Sequence, residues 1–115
     1  MAMKEVLLYA SEAAVAGTGT GAVYKASDFL GAEANAAGTT QFFFKKSDGS
    51  AAACNLQLTH TTDGHIQVME AMARLMSSPG GFKVVADEEN SIFMNVPNRP
   101  VDGAAISITE ADVSV

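Results

Sequence analysis

The sequence predicts an α+β fold that is mostly β: a small, strongly bent antiparallel sheet or barrel of five to six strands, with one amphipathic helix packed on it. Three observations predict it. Apolar and polar residues alternate in several short runs, most cleanly at 39–46 and 52–59. One stretch, 66–76, carries its apolar residues at helical spacing instead. Clusters of Gly, Pro, Asp, Asn and Ser separate these segments and supply turn chemistry.

The first predicted strand is 5–10. Val6 and Leu8 point one way and Leu7 and Tyr9 the other, so both faces are apolar and the strand belongs in the middle of a sheet. Residues 11–38 are rich in Ala and Gly, with Gly17-Thr18-Gly19-Thr20-Gly21 near the start, and predict a loop region. Within it Val23-Tyr24 make at most a short strand, and Asp28-Phe29-Leu30 anchor the loop on the core. Strand 39–46 sets Thr40, Phe42 and Phe44 against Gln41, Phe43 and Lys45. The turn Ser47-Asp48-Gly49-Ser50 joins it to strand 52–59, where Cys54, Leu56 and Leu58 alternate with polar residues.

The helix is expected to start at a Thr62 or Asp63 cap, because either side chain can accept from free backbone N–H groups. Ile66, Val68, Met69, Met72, Ala73, Leu75 and Met76 fall on one half of its wheel, and Pro79-Gly80-Gly81 ends it. Glu70 and Arg74 are spaced i to i+4. Strands 82–86 and 91–96 follow, joined by the acidic turn 87–90. Pro97-Asn98-Arg99-Pro100 makes a stiff loop, and 104–109 is the last strand. Short strands joined by tight turns favour antiparallel pairing.

The length of 115 residues fits a single domain, 1–115. Of the 48% hydrophobic residues many are Ala, which fill little volume, so contacts between copies are expected to supply part of the stability. One cysteine, Cys54, excludes an internal disulfide and fits a reducing interior. No basic segment precedes a long apolar run, and none approaches the ~20 residues of a membrane span. The expected setting is cytoplasmic, without membrane contact. A net charge of −6 discourages non-specific adhesion to nucleic acid or to anionic lipid.

Few residues suggest chemistry. Gly17 to Gly21 lacks the Gly-x-Gly-x-x-Gly spacing and the adjoining strand and helix that a dinucleotide loop needs. Cys54, His60, Asp63 and His65 lack paired short-spaced ligands, and the turn between the two histidines holds them on no common side by regular geometry, so no metal is expected. A Cys54–His60 nucleophile pair would sit on one strand face roughly 20 Å apart, too far for proton transfer. No cofactor and no catalytic residue is expected, and the chain reads as no enzyme. The helix methionines read as core filling. Phe42-Phe43-Phe44-Lys45-Lys46 alone places aromatics beside positive charge, with Phe43 and Lys45 on one face, as stacking on single-stranded nucleic acid requires. Arg99 is a second candidate contact.

Lys4 to Ala10, Val68 to Ala73, Phe82 to Asp87 and Asn90 to Phe93 together are similar to a family of small proteins from marine viral metagenomes, of cyanophage origin. That family resembles Sm-like proteins in fold. The resemblance implies a bent barrel that assembles into homo-oligomeric rings by edge-strand pairing and binds RNA. This sequence departs from the Sm pattern: its helix is central, the Sm motifs are not recognisable, and its charge is acidic. No RNA-pocket residue carries over.

The functional expectation is therefore a non-enzymatic, ring-forming Sm-like module that binds single-stranded RNA or DNA in phage nucleic-acid processing, through Phe43, Lys45, Lys46 and Arg99. The alternative is a phage structural or assembly protein that uses the ring as a scaffold.

Overall fold

A strand that is apolar on both sides belongs inside a sheet, and Val6–Ser11 (β1) sits there. The computed structural model describes residues 5–13, 21–46 and 53–114. The rest of the fold is β2 (Gly21–Lys25), a 3-10 turn (Ala26–Asp28), β3 (Phe29–Ala36), β4 (Thr39–Lys45), β5 (Ala53–His60), α1 (His65–Ser77), β6 (Gly81–Asp87), β7 (Ile92–Phe93) and β8 (Ile108–Val113). Two four-stranded sheets result, in orders β2-β1-β6-β7 and β3-β4-β5-β8.

Mostly β with one helix is the observed class. Two details of the expectation change. The described residues hold eight strands rather than five or six, in two sheets with free edges rather than a closed barrel. The pairing is also not all antiparallel: β1 runs parallel to β6, with Val6 opposite Gly81. The chain leaves β1, builds β2, three of the four strands of the second sheet and the helix, and then returns, which is the long crossover a parallel pair needs.

The region expected as a loop, 11–38, contains β2 and β3. Ala and Gly have weak strand preference, so composition hides β3; pairing with β4 from Phe29 to Ala36 makes it a strand. It lies at a sheet edge, exposed along most of its length, with two register shifts. The glycine-threonine run 17–20 and the turn 47–50 lie outside the described residues.

The last strand is shifted to Ile108–Val113 from the expected 104–109. Ile106, Ile108, Ala111 and Val113 are all buried, but a bulge at Thr59/His60 breaks the alternation between Ile108 and Ala111. The pattern then stops looking like one strand. β7 is also shorter than expected, because Ser91 takes a positive φ and pairing is confined to Ile92 and Phe93.

The helix docks through Val68 and Met72, flanked by Gln67 and Ala71. Met69, Leu75 and Met76 are half-buried, whereas Ile66 is 74% exposed and Ala73 is also in solvent. The buried arc is thus rotated from the predicted one. Its N-cap is Gly64, without a side-chain cap, in place of Thr62 or Asp63. An added Cβ at Gly64 would lie 2.5 Å from Ile106 Cγ2, so close packing dictates the glycine.

One core serves both sheets and the helix. Leu8, Phe42, Phe44, Leu56, Leu58, Val68, Met72 and Val85 are its largest apolar members. Tyr24 of the first sheet stacks on Phe44 of the second at 4.7 Å between ring centroids. Its hydroxyl donates to the Ser114 carbonyl at 3.0 Å, with the Asn55 carbonyl at 3.2 Å. Among the described residues no helix is long and apolar enough to cross a membrane.

Candidate binding surfaces

On β4 the side chains alternate as the pattern requires. Phe42 and Phe44 are buried, while Phe43 is half-buried on the other side and Lys45 is exposed beyond it. Phe43 lies between Gly31 of β3 and Asn55 of β5. Lys46, half-buried, follows Lys45 at the strand end.

Arg99 does not join them. Its Nη2 donates to the Thr62 carbonyl at 3.1 Å, and Nη1 lies 3.5 Å from Asp102 Oδ2. Thr62 follows the His60 end of β5, whereas Lys45 is paired with Ala53 at the other end. The length of β5 separates them by roughly 20 Å. Arg99 staples its own loop to the turn before the helix.

The nucleophile and metal candidates are tied up. Cys54 is buried, its thiol faces the Phe44 carbonyl at 3.5 Å, and burial pushes its pKa up, which disfavours thiolate. Cys54 and His60 share the inner side of β5 at opposite ends, as the alternation predicts. His60 Nδ1–H donates to the Thr61 carbonyl at 2.8 Å, which leaves Nε2 to accept from the Thr40 hydroxyl at 2.8 Å. His65 nevertheless meets His60 edge-on, at 5.0 Å between centroids, because the tight turn at Gly64 folds it back. His65 Nε2–H donates to the Ala36 carbonyl. Among the described residues no three His, Cys, Asp or Glu side chains converge as a ligand set.

Two surfaces were not among the expected sites. The first is the outer face of β1, β2 and β6. Leu7 stands between Lys25 and Phe82, and Tyr9 between Val23 and Val84. The Tyr9 and Phe82 rings are 5.6 Å apart. Phe82 is 58% exposed and Val23 is 49% exposed, and no described segment covers them. The signal was present: a strand apolar on both sides needs cover on both sides.

The second is an acidic cleft of about 390 Å³ lined by Glu12, Ala13, Glu88, Glu110, Ala111 and Asp112. Burial first, and then the adjacent Glu12 carboxyl, hold the Asp112 carboxyl above its ordinary range. The acidic turn 87–90 contributes Glu88 to this cleft.

Comparison with known proteins finds no matching family model, curated protein or solved structure. The surfaces of the chain carry the functional reading. The apolar face is the larger departure from an ordinary solvated surface, since Val23 and Phe82 stand about half in water on either side of β1.

Proposed function

We propose that the chain is a non-enzymatic, self-assembling module, a structural or assembly component in the phage setting that the sequence resemblance implies. One observation carries this reading: the outer face of β1 and β6 is apolar and nothing in the described chain covers it. Leaving Phe82 and Val23 half in water forgoes about 1 kcal/mol for each. Contact with another copy recovers it. An Sm-like architecture stays part of the proposal, supported by two sheets of short strands around one core.

The experiment is light scattering on the purified protein and on V23S/F82S, both substitutions being at exposed positions. An oligomer that the double variant reduces to a monomer supports the reading. A monomeric wild type, or a variant with unchanged mass, overturns it.

A second reading, single-stranded nucleic-acid binding on β4, is favoured by one observation. Phe43 and Lys45 share the solvent side of one strand, with Lys46 next in the chain. Arg99 is no part of that surface.

A further inference from the structure

Glu12 follows β1 and Glu88 follows β6, so both belong to the first sheet. Their carboxylates reach the second. Glu12 Oε2 accepts from the Val113 N–H at 2.8 Å, and Glu88 Oε1 accepts from the Ala111 N–H at 2.9 Å. Both donors are on β8, an edge strand. The Ser114 N–H donates inward to the Asn55 carbonyl of β5 at 2.9 Å. Alternate residues of a strand turn their backbone groups the same way, so Asp112 and Glu110 also face β5 while Ala111 and Val113 face the free edge. The two carboxylates therefore stand where the carbonyl oxygens of a neighbouring strand would stand.

They are also crowded. Glu110 and Asp112 of β8 line the same cleft, and among the described residues no Lys or Arg does. Two hydrogen bonds hold the glutamates on the edge while like charge pushes them off. A strand added at this edge would replace both bonds without the repulsion.

We propose that Glu12 and Glu88 form a removable guard over the β8 edge, and that a second copy of the chain adds its β3 there when the guard swings out. β3 is the opposite edge of the same sheet, eight residues long and mostly exposed, and no carboxylate caps it among the described residues. Each neighbouring pair in the order β3-β4-β5-β8 is antiparallel, so β3 and β8 run in opposite directions. A copy set alongside in the same orientation thus offers its β3 antiparallel to β8, a head-to-tail contact. This rests on the self-assembly reading and adds a second contact, separate from the apolar face.

The test is light scattering at neutral pH on E12A/E88A in the V23S/F82S background, where the apolar contact is disabled, with circular dichroism to confirm folding. Removing the guard is expected to at least double the mean mass. Adding A111P, which deletes one outward donor, is expected to abolish that growth. A folded variant whose mass does not rise, or growth that survives A111P, overturns the guard while leaving the apolar-face reading standing. Should E12A/E88A not fold, hydrogen exchange on the wild type decides. Protection of the Ala111 and Val113 amides should rise several-fold with protein concentration, and concentration-independent protection overturns the proposal.

Discussion

The imidazoles of His60 and His65 meet edge-on at 5.0 Å, although one ends β5 and the other opens α1. Each is fastened to backbone, His60 to Thr61 and His65 to Ala36, so the pair ties the β3–β4 turn, the end of β5 and the helix start together.

A pH dependence follows. Burial first, and the neighbouring His65 as well, hold the pKa of His60 below its ordinary 6.5. The unfolded chain therefore binds this proton more readily than the folded one. The contribution is fully present above the ordinary value and is lost as pH falls through the folded one. The urea midpoint should drop as the pH falls below about 6.5. H60Q should flatten that part of the curve, and an unchanged slope would exclude His60 as its source.

Gly64→Ala should destabilise although the new residue is a better helix former. The added methyl falls 2.5 Å from Ile106 Cγ2 and 3.0 Å from the Thr61 carbonyl, and neither can swing away as a long side chain would. The expected loss is about 1–3 kcal/mol by chemical denaturation. A neutral result would show that the helix start shifts freely.

Adjacent phenylalanines should behave in opposite ways. Phe42 is 1% exposed and fills the centre of the core, so Phe42→Ala should cost about 3–5 kcal/mol. Phe43 is half in solvent, and Phe43→Ala should cost about 1 kcal/mol. Equal losses in urea titrations would mean that the two faces of β4 are misassigned.

Nucleic-acid binding on β4, if present, should be weakly salt-dependent. Lys45 and Lys46 neutralise two phosphates at most, so log K against log salt should have a slope of about −1.4 for a single strand. A fluorescence-anisotropy titration at several salt concentrations measures it. A slope several times steeper would place the contact on other residues, and no binding at low salt would remove this reading.

Elements with a clear period were legible in the sequence. Thr40, Phe42 and Phe44 on β4 and Cys54, Leu56 and Leu58 on β5 point inward as the alternation required. What escaped was set by tertiary contact. β3 becomes a strand because β4 supplies its partner, and the helix turns Ile66 outward because Val68 and Met72 fit the sheets better. The candidate sites divide the same way. Phe43 and Lys45 share a face because alternate residues on a strand must, but Arg99 was placed by its loop, which no period describes. The Glu12 and Glu88 contacts to β8 join three distant segments and leave no local trace.

The parallel contact between β1 and β6 also sets an order of events in synthesis. Ser11 meets Asp87 across 76 positions of chain, so β1, paired early with β2, must wait for β3, β4, β5 and the helix to be made before β6 arrives on its other side. Contacts of such long span slow folding. In that interval the greasiest strand of the molecule stands with one side unmatched, and a ribosome paused after the helix would hold a chain prone to clump rather than one ready to fold.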